Sequence, residues 1–294
     1  MSTALVTDST AYLPRDLIEG LAVHVVPLHV VVGGTEHAEG VDIDPAAVAS
    51  ALRSFTPVST SRPAPAAFLE AYRAAADAGA DAVVSVHISG DMSSTIGGAA
   101  IAADDSPVPV TIVDSRALGM AMGFAVLAGA RLAAGGASAE EVADAVRATC
   151  ASSTVVFYVD TLEYLRRGGR IGKAGALLGS ALSIKPILGL RDGHIVPLER
   201  VRTSTRAIAR IEDLAVEAAT ALPVGAVGVD VAVHHLDSPE RAERLAERLA
   251  ARLGDEATVR VVELGAVVGE VGAVIGALVG PGMVAVVVSP RCAD

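Results

Sequence analysis

Two hydroxyl-rich segments hold the residues best suited to chemistry, Thr60-Ser61-Arg62-Pro63 and Ser89-Gly90-Asp91-Met92-Ser93-Ser94-Thr95. The second follows the β-branched run Ala82-Val83-Val84-Ser85-Val86 and leads into Gly97 and an Ala-rich stretch, the pattern of a buried strand running into a helix start. Hydroxyls and free backbone N–H groups then meet at the carboxyl end of a strand. That is where open α/β sheets place ligands, and helix starts favour anions there. Ser and Thr hydroxyls can donate to a carboxylate without the strong charge pairing that Lys or Arg imposes. A second chemistry is open to the same residues: Ser93 as nucleophile with His87 as base would make an acyl hydrolase or transferase. Ser61 and Ser93 equally suit helix capping, and His87 suits a structural role at a strand end.

Composition narrows the choice. The formal charge is −11, with no Trp and only four Phe and four Tyr, so a phosphate backbone is repelled and base stacking is poorly supplied. No nucleic-acid partner is expected. Residues 1–152 hold 7 basic against 17 acidic side chains and residues 153–294 hold 16 against 17, so a basic docking surface must lie in the second half. Cys150 and Cys292 lack metal-ligand spacing and His234-His235 lacks a third ligand, so neither a metal nor a cofactor is expected. Cysteine usage and the absence of a signal-peptide pattern before the strand at Ala4 point to the cytoplasm. Leu264 to Ser289 is apolar except for Glu270, but Pro281-Gly282 divides it, so a buried helix and a closing strand are expected rather than a membrane span.

The elements that must position these residues alternate. Strand Ala4–Thr7 ends at Asp8-Ser9-Thr10, placed to cap a helix from about Pro14. Val23 to Val32 is expected as one strand, turned at Gly33-Gly34 into a hairpin, and Asp44-Pro45 opens a helix to Phe55. Pro63 and Pro65 set an extended approach to helix 66–78. Strand 82–88, helix 94–103, strand 110–113 and helix 119–134 follow, with Ser138 and Glu141 forming a capping box on helix 139–151. Strands separated by helices in this way specify a mainly parallel α/β/α sheet over 1–152. Residues 153–294 read as an α+β domain. It comprises strand 154–159, hairpin 184–190/194–201, helix 205–221, strand 227–235, helix 239–253, strand 258–264 and the apolar tail.

Seven short motifs stand in order across nearly the whole chain: Thr7-Asp8-Ser9-Thr10, Thr60-Ser61-x-Pro63, Ile88-Ser89 with Ser93-x-Thr95, Val113-Asp114-Ser115, Tyr158 to Leu165 with Gly168-Gly169-Arg170-Ile171, Ile184-Lys185-Pro186-Ile187-Leu188, and Gly280-Pro281-Gly282. Together they resemble the motif set of the DegV family. The resemblance implies a bacterial two-domain α/β lipid-binding protein, not an enzyme, that holds one long-chain fatty acid in an internal tunnel. It further implies a partner, the ATP-binding subunit of a fatty acid kinase, to which the carboxylate is presented for acyl-phosphate formation. Small Ala, Gly and Val side chains suit such a tunnel, which also needs a few polar groups at one end. By the resemblance Ser61 and Ser93 hold the carboxylate, with Thr60 available if the register differs by one and Ser94 beside them. Arg166, Arg167, Arg170 and Lys173, aided by Arg202 and Arg206, would form the kinase-docking patch or a solvated helix end. Leu278 stands where the family has His, Asp91-Met92 replaces Gly-Leu, and Arg62 replaces Gln. Asp91 is expected to face solvent, while Asp8 and Asp114 are expected to bind loop amides.

Overall fold

The computed structural model describes residues 2–177, 184–254, 257–263 and 272–292. The first half contains β1 (Thr3–Asp8), a 3₁₀ turn (Ser9–Ala11), α1 (Arg15–Ile18), β2 (Val23–Val26), β3 (His29–Val32), β4 (Thr35–Ala38), α2 (Pro45–Arg53), β5 (Val58–Ser61), α3 (Pro65–Asp77), β6 (Ala82–His87), α4 (Thr95–Ala103), β7 (Val110–Asp114), α5 (Met120–Ala134) and α6 (Ala139–Ser152). The second half contains β8 (Thr154–Tyr158), α7 (Glu163–Arg167), a 3₁₀ stretch (Gly172–Leu177), β9 (Lys185–Arg191), β10 (His194–Val201), α8 (Ser204–Thr220), β11 (Ala226–His235), α9 (Pro239–Leu253), β12 (Ala257–Glu263), α10 (Ala273–Val279) and β13 (Val284–Cys292).

The fold is mixed α/β. Strands β2, β1, β6 and β7 lie side by side in that order, all parallel. They are apolar throughout because both faces are covered: Ala4, Val6 and Val83 meet Phe68 and Tyr72 of α3, while Leu5, Val84 and Val86 join the core with α5 and α6. The chain leaves β1 for β2 on one side and returns to β6 on the other, so a crevice opens between the carboxyl ends of β1 and β6. Pro27 and Leu28 divide the expected Val23–Val32 strand. Its second part, β3, pairs instead with β4 and β5 in a small antiparallel sheet. Thr60 and Ser61 thus end a strand rather than an extended loop. Asp8 caps the short 3₁₀ turn, accepting from the Thr10 amide, rather than a helix at Pro14.

The six-stranded sheet runs β10-β9-β8-β13-β11-β12, parallel only between β11 and β12. Its period of two decides what each face does. Val156, Tyr158, Val284, Val286 and Val288 pack under α8 and α9, and their neighbours Val155, Phe157, Ala285 and Val287 turn the other way, toward the first half. The local signals at Asp44, which accepts from the Ala47 amide, and at the Ser138–Glu141 capping box form as expected. Leu264 to Val271, including Glu270, lie outside the described residues. The rest of that apolar tail is the buried helix α10 and the strand β13. No helix among the described residues is long and apolar enough to cross a membrane.

Candidate functional site

The crevice at the ends of β1 and β6 is held by one buried carboxylate. Asp8 accepts from the amides of Thr10 (3.1 Å) and Ile88 (2.9 Å), and its Oδ2 lies 3.1 Å from His87 Nδ1. The other ring nitrogen of His87 lies 2.7 Å from Ser85 Oγ, which Tyr72 OH approaches to 2.9 Å. Ser85, His87 and Asp8 have the order of contacts of a catalytic triad, but none is exposed at all and none lines a cavity described here. The network fixes the loop; it does not face a substrate. Asp114 does the same at the end of β7, accepting from the amides of Gly90 and Arg116. Ser93 is not brought to His87. Its hydroxyl pairs with Thr95 Oγ1 at 2.8 Å and accepts weakly from the Thr95 amide, so His87 has no route to activate it.

Beside this loop an apolar cavity of about 50 Å³ lies between the halves. That is room for on the order of four water-sized groups. Its floor is the inward face of the six-stranded sheet, Val155, Phe157, Ala285 and Val287. Ile88 and Met92 of the loop form one wall, and Ile275, Leu278 and Val279 of α10 another. The unbranched Met92 and Met283 side chains and the terminal groups of Leu278 are the parts of this wall that can rotate aside. His234 also lines it; Nε2 accepts from the Met120 amide at 3.3 Å, which fixes that nitrogen as an acceptor.

Leu278 belongs to two spaces. It lines the apolar cavity and also an open cleft of about 440 Å³ whose other residues include Thr60, Tyr164, Gly168 and Arg170. Arg170 is half-buried there, donating through Nε to Met92 O (3.0 Å) and through Nη1 to Gly168 O (2.6 Å). Met92 precedes Ser93, and a side chain at Gly98 in α4 would meet Pro63 O at 3.6 Å, so α4 packs against the chain just after β5. The mouth therefore gathers Thr60 and Arg170 where Leu278 borders the apolar cavity, and Arg170 ties it to the loop after β6 through Met92 O.

The other sequence candidates separate. In β5, Thr60 pairs with the fully buried Val30 and shares its face with Val58, toward α10. Ser61 points to the opposite face, where its hydroxyl donates to Glu36 at 2.6 Å beside His29. Ser94 is exposed at the start of α4 and makes no side-chain cap. Arg166 and Arg167 both bind Glu163, whose carboxyl they hold down to about 2. Lys173 is exposed on the 3₁₀ stretch that packs on β10, and Arg202 is exposed just past the end of that strand. Asp91 is exposed as expected, 3.4 Å from His194.

One residue carries no sequence signal at all. Glu39 sits in a polar stretch, yet only 2% of it is exposed; it accepts from Ser9 Oγ and from the amides of Gly272 (2.9 Å) and Val274 (2.8 Å) at the head of α10. Burial pushes its carboxyl up to about 7, with nearby Asp8 adding to the rise and the hydrogen bonds opposing it. Glu39 thus ties the cavity-wall helix to the loop after β1.

The family model described as "Uncharacterised protein, DegV family" matches residues 2–291. The chain belongs to the DegV family. A DegV domain-containing protein of Streptomyces coelicolor is 49% identical over 288 residues, 98% of each chain. Among solved structures, a DegV family protein of Thermus thermophilus described as fatty acid binding is 34% identical with a TM-score of 0.87, covering 99% of this chain and all of that one. Bacillus subtilis DegV, described as a fatty acid binding protein, is 31% identical with a TM-score of 0.85 over the same shares.

Proposed function

We propose that this DegV family chain carries a long-chain fatty acid, its acyl chain in the cavity between the halves and its carboxylate at the mouth, and presents that carboxylate to the ATP-binding subunit of a fatty acid kinase. The observation that carries the reading is a cavity walled almost wholly by apolar groups that borders, at Leu278, a mouth furnished with Thr60 and with Arg170, which is bonded to Met92 O next to Ser93. An amphiphile with one anionic end is the ligand class such a site fits, and the two fatty-acid-binding relatives support the same choice. A longer chain needs Met92, Met283 and Leu278 to rotate away from the cavity axis. Thr60 and Ser93 are the hydroxyl donors to the head group; Ser61, turned to the other face of β5, secures Glu36.

The carrier's own chemistry ends at positioning. With Arg166 and Arg167 committed to Glu163, the exposed Lys173, Arg202 and Arg206 are available to steer an acidic partner. The test is extraction of protein purified from a lipid-containing host, followed by mass spectrometry. About one acyl chain per protein chain is expected. No acyl chain, together with no uptake of added fatty acid, overturns the proposal. Adding a bacterial fatty acid kinase and ATP to the loaded protein should yield acyl-phosphate, and Lys173→Glu with Arg202→Glu should slow that step without emptying the carrier.

A further inference from the structure

The apolar cavity has a second end. Two of its lining residues, Val155 and Leu190, also line a separate open cleft of about 660 Å³ that carries Asp114, Arg116, Arg147 and Arg191. None of that cleft's residues lines the mouth at Thr60 and Arg170, so the cleft and the mouth meet the cavity at different walls. The register of the six-stranded sheet explains the wall between them. Val155 pairs with Val287 and Leu190 with Ile195, and Val155 and Leu190 stand one step beyond the Val156–Gly189 pair, side by side on β8 and β9. The result is a transverse row, Val287-Val155-Leu190-Ile195, all four lining the cavity. Both border the charged cleft, but Val155 is buried whereas Leu190 is half-buried.

We propose that Leu190, backed by Val155, is the stop for the methyl end of the acyl chain and so sets the longest chain this carrier accepts. The inference rests on the lipid-carrying reading above. With the carboxylate fixed at the Thr60 mouth, each further methylene must either press on this row or pass it into a cleft lined by arginines and aspartates, where it stays in water. Leaving a methylene in water instead of burying it lowers retention about fourfold. Leu190→Ala replaces an isobutyl group with a methyl and makes apolar room for about two methylenes. Leu190→Phe does the reverse at a position that borders open space, so it is tolerated by the fold.

The experiment offers wild type, Leu190→Ala and Leu190→Phe, each stripped of lipid, an equimolar mixture of straight-chain saturated fatty acids from dodecanoic to eicosanoic acid. Retained lipid is then measured by mass spectrometry. The ratio of octadecanoic to hexadecanoic acid should rise roughly fifteenfold in Leu190→Ala and fall in Leu190→Phe. An unchanged length profile in both variants, with total lipid as in wild type, overturns the stop. So does loss of all lipid from Leu190→Ala with no change in Leu190→Phe, which would mean that the head group lies at this end. Wild type that takes up no fatty acid of any length overturns the carrier reading itself, and the stop with it.

Discussion

Replacing Glu39 by Gln should remove a pH dependence that the buried carboxyl builds into folding. In the native chain this carboxyl is pushed up to about 7 from an ordinary 4.5, first by burial and then by Asp8. The folded state therefore holds the proton more tightly than the unfolded chain. The stabilisation from that proton is complete below the unfolded value and is lost as pH rises through about 7. At 1.36 kcal/mol per unit, the loss between about pH 5 and pH 8 comes to roughly 2–3 kcal/mol. His235 works in the opposite sense: burial lowers it to about 4, so its contribution is lost as pH falls toward that value. The wild-type profile alone mixes the two, but the difference between wild type and Glu39→Gln cancels His235. Gln keeps an acceptor for the Gly272 and Val274 amides, so the helix head stays tied. Urea unfolding of both proteins across this range should show wild type losing roughly 2–3 kcal/mol relative to the variant toward alkaline pH. Parallel curves would refute the placement of Glu39 in a dry, carboxylate-crowded pocket.

Thr60→Val and Ser93→Ala should each weaken fatty acid binding by about 1–2 kcal/mol, the scale of a hydrogen bond to a charged group, whereas Ser61→Ala should change it little; displacement of a fluorescent fatty acid ranks the three. Leu278→His places a donor at the junction of cavity and mouth and should strengthen carboxylate binding by at most about 1–2 kcal/mol, with weaker binding in the same assay as the contrary result. Gly280→Ala should lower stability by about 3 kcal/mol or more, read as a fall in Tm, because φ there is +76° and a methyl would enter the Tyr164 ring.

What could be read without coordinates was what neighbours in the chain decide. Asp44-Pro45 and Ser138 with Glu141 mark helix starts through bonds that span three residues, and both form. The alternation of strands and helices likewise gave the parallel sheet and the crevice at the carboxyl ends of its strands. Partners distant in sequence decided the rest. Whether Thr60 or Ser61 faces the mouth depends on which residue of β3 pairs with it, and nothing near residue 60 carries that register. Arg170 belonged by composition to a solvated basic run, and only the approach of Met92 O brings it to the mouth. Glu39 gave no warning because its burial is supplied by Ser9 and by α10, at opposite ends of the chain.

Helix α10 has no side toward water: all seven of its residues are buried. Ala273, Val274 and Ala277 pack with Leu28, Val30 and Ile43 beneath the small β4-β3-β5 sheet, and Ile275, Leu278 and Val279 close the cavity behind them. It is a bulkhead between two compartments, and neither can be breached alone. Peeling away the small sheet would uncover the α10 wall of the cavity while the larger sheets still stood, so a fatty acid carried as proposed should be lost well before the protein unfolds.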